Sequence, residues 1–380
     1  MTLEWIPRAP KNEKRSHQFG DEKFLGTKPP CTMYEKRPVL DPDGKEVEGL
    51  YVAWITLNNP DQYNSYTGDM VKGTAVAFDK AVNDDSIVAV VFTGAGDKAF
   101  CTGGNVAEYT KYYAHRPQAC HHYLSPYWHL FESVWNSPKP FIRRVNGISI
   151  GGGEEIGGVC DLTIASDLAT FGQVGPQHGS VAMGGAAQFK PIEMTIQDAM
   201  WNCVSCEQWS AYKMYRKNYV HQVVPVLKKD GKFLRNPLVF TDKYVEDGEL
   251  VYGEFKTGKE AQKAQELVDT LPRDLSLLDK ACMDMVWKFA NLFPGCVGLT
   301  IGMIRSVKKL AYDRTRTELP WWFAANAGPF GEYDMGMGSF FTRKITGKDN
   351  IDILKYRRMV AEGHPVDQEL FEAVMPKPKK

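Results

Sequence analysis

Three consecutive glycines, Gly151, Gly152 and Gly153, run directly into Glu154, Glu155 and an apolar segment. Glycines at the mouth of a helix let the backbone approach a ligand closely, and the first helical N–H groups have no internal partner. At the positive end of the helix dipole such groups suit an oxygen that becomes negative during a reaction. Glu155, about one turn further on, could move protons beside that oxygen. Glu154 is rotated by about 100° around the same helix, so the two carboxylates cannot face one substrate atom. A second glycine pair, Gly103 and Gly104, follows AFCT and precedes Asn105 and Val106. If each glycine turn follows a strand, each could offer one N–H to the same oxygen.

Other chemistry-bearing patterns are weaker. Ser149 completes a G-x-S-x-G over residues 147–151, which would make it the nucleophile of a thioesterase. That elbow needs its helix directly after the serine, and here more glycines intervene. Cys203 and Cys206 form a lone C-x-x-C, for which buried thiols are the expectation. His121 and His122 are adjacent, so they cannot share a helix face as a metal pair would need. Gln177 and His178 lie in the loop GQVGPQHG. A lone loop histidine is more often a hydrogen-bonded structural group, and His178 stands as a secondary catalytic candidate. No metal site is expected.

The elements that must hold these residues can be read in turn. Residues 1–48 are polar and proline-rich, with a DPDG turn at 41–44. They are expected to form an extension wrapped over the domain or a mobile arm. Order is expected to begin at Leu50, where LYVAWITLNNP reads as a strand ended by Pro60. A helix over 66–83 and a β-branched strand over 86–94 complete a parallel crossover pattern. An aromatic-rich helix over 115–137 comes next, then a strand in PKPFIRRVNG that delivers the glycine triplet, and a fourth strand over 161–173. The division expected is an extension at 1–48, a core at 49–226, a charged, glycine-punctuated insertion at 227–262 and a helical region at 263–380. Within the last, the aromatic and glycine-rich stretch 321–341 is expected to cover a site or to serve packing.

Composition narrows the function classes. Lys+Arg and Asp+Glu balance at 46 each, which gives no electrostatic case for nucleic acid or an acidic membrane as partner. The basic KPKK at 377–380 reads as a solvated tail. Eight scattered cysteines suggest reduced thiols rather than a disulfide framework. No run approaches the ~18 apolar residues of a membrane helix, and the first residues lack the apolar core of a signal peptide. A cytoplasmic setting is the expectation.

The segments AFCTGGN, SIGGGEEI, CDLTIASD and FGQVGP, with LNNPDQYNSY upstream, together resemble the crotonase (enoyl-CoA hydratase/isomerase) superfamily over residues 50–225. The resemblance implies an α/β fold, a spiral of ββα turns with a helical C-terminal region, assembled as a homotrimer or homohexamer. It implies an acyl-CoA thioester substrate, the CoA being part of that substrate, and no separate cofactor. By position, the N–H groups of Gly104 and Gly152 would hold the thioester oxygen and Glu155 would be the acid/base. Thr102, Asn105 and Val106 would line the CoA, and Tyr63 would flank its adenine.

The chain also departs from the pattern. Hydratases carry a second glutamate where Gly175 stands, and Gly175 is expected to leave room for a ring or a water. The aspartate of the superfamily's naphthoate synthases is missing too, since Val181, Ala182 and Met183 occupy that region. The extension, Gly175, the insertion and WWFAANAGPF together resemble the superfamily's ring-opening hydrolases of cyclic ketonic acyl-CoA thioesters. A plain hydratase, a synthase-like enzyme, a non-catalytic acyl-CoA binder and the thioesterase are the other readings.

Overall fold

The computed structural model describes residues 5–10, 13, 21–348 and 350–378. Much of the expected N-terminal arm before residue 21, and the last two lysines of the tail, lie outside the described residues.

Ten strands build two sheets. In chain order they are β1 (Cys31–Leu40), β2 (Glu46–Asn58), β3 (Ile87–Gly94), β4 (Ala99–Cys101) and β5 (Phe141–Val145). These are followed by β6 (Ile148–Ile150), β7 (Leu162–Ser166), β8 (Thr170–Gly172), β9 (Trp209–Ser210) and β10 (Gln222–Val224). The large sheet has the order β1-β2-β3-β5-β7-β10 and the small one β4-β6-β8-β9. Pairing is antiparallel at β1/β2 and β8/β9 and parallel elsewhere. Each circuit of chain lays one strand in the large sheet and the next in the small one, as the pairs β3/β4, β5/β6 and β7/β8 do. That repetition is the spiral.

Period-two alternation buries both faces of the large sheet. On one side, Ile55 and Leu57 of β2 and Val90 and Phe92 of β3 join the main core. There Phe78, from the helix Gly68–Val82, packs edge-on against Phe92 and Phe141. On the other side, Val52, Trp54, Ala89 and Val91 meet Leu278, Cys282 and Val286 of the helix Ser276–Ala290. Thr67 starts the Gly68–Val82 helix by accepting the Met70 N–H at 3.2 Å.

Two expectations need correction. Order begins well before Leu50: β1 pairs with β2 from Cys31 opposite Asn58 to Leu40 opposite Glu46. The DPDG turn is the tip of that hairpin, where Asp41 accepts the N–H groups of Asp43 and Lys45. The single strand expected over 161–173 is two strands in different sheets, β7 and β8. The chain turns between them at Asp167, whose buried carboxylate accepts the N–H groups of Val226 and Asn236.

Those bonds tie down the 227–262 segment, which forms two small hairpins, Leu227–Lys229 with Lys232–Leu234 and Tyr244–Glu246 with Glu249–Val251. The aromatic stretch splits into helices Leu319–Asn326 and Glu332–Phe341. The second crosses the loop after Gly175 at a contact only glycines allow. A Cβ on Gly179 would lie 1.9 Å from the Glu332 carbonyl oxygen, and one on Gly336 would lie 2.2 Å from that of His178.

Candidate active site

Strand β4 ends in the turn carrying Gly103 and Gly104, and β6 ends in the turn carrying Gly151 and Gly152. Because β4 and β6 are parallel neighbours, the two turns emerge side by side. Gly103 takes φ +94° and Gly151 φ +56°, conformations that favour glycine. A Cβ on Gly103 would stand 3.0 Å from the Gly152 nitrogen, so the turns touch. The Gly151 N–H donates to the Gly172 carbonyl of β8 at 2.9 Å, and the Gln173 amide donates to the Gly151 carbonyl at 3.2 Å. This explains why FGQ belongs to the same constellation as GGGEE.

The helix Gly152–Gly158 carries both glutamates inward, one to each side. Glu154 is paired with the Lys190 ammonium at 2.6 Å and accepts from the Gln173 amide at 3.2 Å. Lys190 also donates to Asn202. Glu155 is 7% exposed and accepts from the Tyr127 hydroxyl at 3.3 Å. Burial pushes its carboxyl up to about 8, partly opposed by the Gly184 N–H and Tyr127. A carboxyl poised there exchanges protons readily near neutral pH.

The segment before Tyr66 is zipped onto the first glycine turn. The Tyr66 N–H donates to the Gly103 carbonyl at 2.9 Å and the Asn105 N–H to the Tyr66 carbonyl at 2.8 Å. The Asn105 amide donates to Gln62 at 2.7 Å, its carbonyl oxygen caps Glu108, and the Thr102 hydroxyl lies 3.4 Å from the Tyr63 carbonyl. Tyr63, Thr102, Asn105 and Val106 are therefore brought together with Gly104 on one partly exposed rim.

His178 is seated against a different neighbour. Its ring lies 4.9 Å from that of Phe340, under the helix Glu332–Phe341. The space expected beside Gly175 is filled: a Cβ there would lie 3.0 Å from the Ser180 carbonyl and 3.1 Å from the Val181 nitrogen. The loop closes on itself because the His178 and Ser180 N–H groups both donate to the Gly175 carbonyl. Ser149 is fully buried in β6, where its hydroxyl accepts from the Arg143 guanidinium. It is not at an exposed elbow. His121 stacks on Trp321 at 4.1 Å, and all eight cysteines are free thiols.

Four tyrosines went unnoticed in the sequence. The Tyr109 and Tyr123 hydroxyls are 2.9 Å apart, and the Tyr66 and Tyr127 rings lie 6.1 Å apart, centroid to centroid. A Cβ on Gly104 would fall 1.8 Å from the Tyr109 hydroxyl, and one on Gly152 would fall 2.0 Å from that of Tyr66. The tyrosines thus fill the space that glycine leaves. One signal was available: Tyr123, Tyr127 and Phe131 recur every four residues in the helix Pro117–Trp135 and share its buried face. Tyr333, from the aromatic stretch, packs against Tyr109 and so backs this site in its own chain.

Over residues 48–284 the sequence matches the family described as enoyl-CoA hydratase/isomerase. The chain belongs to the enoyl-CoA hydratase/isomerase family. Its fold is similar to that of an enoyl-CoA hydratase from Mycobacterium avium subsp. paratuberculosis K-10, with TM-score 0.55 and 18% identity, over 82% of this chain and 96% of that one. Among characterised relatives, it is 50% identical to the 6-oxocyclohex-1-ene-1-carbonyl-CoA hydrolase of Syntrophus aciditrophicus, over 100% of this chain and 99% of that protein. The enzymes of the same name from Thauera aromatica and Geobacter metallireducens are 44% and 42% identical, over 91% and 100% of this chain and 92% and 99% of theirs. In this enzyme the paired glycine turns are built at the ends of two neighbouring strands of the small sheet.

Proposed function

We propose that this enzyme hydrolyses 6-oxocyclohex-1-ene-1-carbonyl-CoA, opening the ring to give 3-hydroxypimeloyl-CoA, a step of anaerobic aromatic degradation by the benzoyl-CoA route. The observation that carries the chemistry is Glu155, a buried carboxyl held near neutrality beside two touching glycine turns. The activity named for all three relatives, which match 91–100% of the chain, supplies the substrate.

In this reading the Gly104 and Gly152 N–H groups hold the thioester oxygen. Glu155 takes a proton from water as the water oxygen bonds to the β-carbon, and the electron pair moves to the thioester enolate. Glu155 then returns the proton to the α-carbon. A second water, deprotonated the same way, adds to the ring ketone. The resulting alkoxide collapses to a carboxyl group, the bond to the α-carbon breaks, and its electron pair again becomes a thioester enolate that Glu155 protonates. Two waters are consumed and one oxyanion hole serves both enolates; losing one such donor costs on the order of 3–4 kcal/mol. Tyr63, Thr102, Asn105 and Val106 form the rim for the CoA, while His178 shapes the loop under Phe340.

Mixing the protein with 6-oxocyclohex-1-ene-1-carbonyl-CoA and following products by mass tests the proposal. A gain of two waters with the ring open supports it. A gain of one water makes the protein a hydratase, and bound but unchanged ligand makes it a binder.

Assembly as a homotrimer or homohexamer belongs to the same proposal. Along the helix Pro294–Asp313, Leu299, Met303, Ile304 and Val307 are all more than half exposed, an apolar face that a monomer rarely leaves in water. Light scattering of Met303→Lys is expected to show smaller particles than the wild type. A cytoplasmic setting fits the eight free thiols, and the four-part division of the chain stays an organising proposal.

A further inference from the structure

Ring opening generates negative charge on two oxygens, and the glycine turns account for only one of them. In a 6-oxo-1-carbonyl thioester the thioester and ketone carbons flank a single shared carbon. The two oxygens are therefore near neighbours, and a group that stabilises the second must stand next to the first hole. The hydroxyl nearest the Gly152 turn is that of Tyr66, 2.0 Å from where a Cβ on Gly152 would be. Tyr66 is pinned there by backbone bonds on both sides of the first glycine turn, and only 3% of it is exposed.

Behind Tyr66 the Tyr123 and Tyr109 hydroxyls are 2.9 Å apart, and Tyr109 is the tyrosine that acts most strongly on Tyr66; the Tyr127 hydroxyl is turned to Glu155 at 3.3 Å. Each hydroxyl has one proton to donate. Tyr127 donates its proton to Glu155. If Tyr123 donates to Tyr109 and Tyr109 to Tyr66, the Tyr66 proton is left for a ligand, and each bond behind it polarises the next. Burial holds the phenols of Tyr66, Tyr109 and Tyr123 above the ordinary tyrosine range, so they remain donors across the working pH range.

We propose that Tyr66 is a second electrophilic group of the reaction, donating to the ring-ketone oxygen as it becomes an alkoxide, with Tyr109 and Tyr123 as positioning residues behind it. The inference rests on the ring-opening reading and divides its two steps. Hydration gives an enolate conjugated to both carbonyls, so the ketone oxygen carries only part of a charge in that step. Attack of the second water on the ketone carbon places charge on the oxygen facing Tyr66, before the carbon–carbon bond breaks.

The test uses the full chain, 6-oxocyclohex-1-ene-1-carbonyl-CoA and rapid quench with mass detection. Tyr66→Phe is expected to slow ring opening by about 100-fold or more, the usual effect of losing one such donor. Hydration, in which that oxygen carries only part of a charge, should slow far less, so the product carrying one water, ring closed, accumulates. Tyr109→Phe should give the same partition more weakly, and Tyr123→Phe more weakly still. Should Tyr66→Phe fail to fold, the graded partition in the other two variants decides. Equal loss of both steps, or a wild-type partition in the folded variants, overturns the proposal. A wild-type enzyme that leaves this thioester unopened instead overturns the function on which it rests.

Discussion

Glu154 and Glu155 are consecutive, both buried and carried by one short helix, yet they have opposite surroundings. Glu154 faces Lys190, Gln173 and, through Lys190, Asn202. Glu155 faces a tyrosine hydroxyl and a glycine N–H, with Lys190 acting on it only weakly from the far side. A cation compensates the first carboxylate in place. The second lacks that compensation and its proton is held loosely near neutrality. Depth alone does not make a carboxyl reactive; depth without a counter-charge does.

The contrast can be broken at either end. Glu155→Gln keeps the shape but cannot carry a proton, and turnover is expected to fall by about 10²–10⁴-fold, measured by steady-state kinetics on protein with wild-type circular dichroism. Lys190→Met strands Glu154 without its cation. Stability should drop by about 3–5 kcal/mol in denaturant titrations, while the turnover of the remaining folded enzyme changes little.

The pH dependence sharpens the same comparison. Glu155 titrates at about 8 in the folded chain against an ordinary value of 4.5. Below pH 4.5 both folded and unfolded chains hold the proton; between about 4.5 and 8 only the folded chain does. The wild type therefore loses stability as pH rises through that window. Glu155→Gln should be more stable than wild type by on the order of a few kcal/mol at pH 8 and by nothing near pH 4. Unfolding curves at both pH values measure the difference. The smallest effect is expected for Gln173→Ala, about 1–2 kcal/mol, since it removes one amide shared by Glu154 and the Gly151 carbonyl.

The parts of the site legible in the sequence were those set by the backbone. Glycines at 103–104 and 151–153 announce turns, and the 100° step between Glu154 and Glu155 separates the two carboxylates whatever the surroundings. The tyrosine cluster was not legible, because Tyr66, Tyr109 and the pair Tyr123 and Tyr127 come from three segments that only the spiral brings together. Gly175 misled for a related reason. A missing side chain reads as a gap, whereas the loop had closed until the Ser180 backbone filled it. In the fold, apolar runs placed the strands well, but β1 was hidden by its charged and proline-bearing sequence. Its partner β2 supplies the pairing that its own composition does not advertise.

The helix Glu332–Phe341 ties distant parts of the chain to one place. Its Met335 packs with Ile6, Leu370, Phe371, Val374 and Met375, its Asp334 binds Arg8 and His115, and its Tyr333 supports Tyr109. During synthesis the glycine turns and Glu155 leave the ribosome long before this helix does. At about 5–20 residues per second, the nascent spiral spends many seconds with its tyrosines unsupported. Catalytic competence therefore arrives late, with this helix and not with the spiral that bears the acid/base.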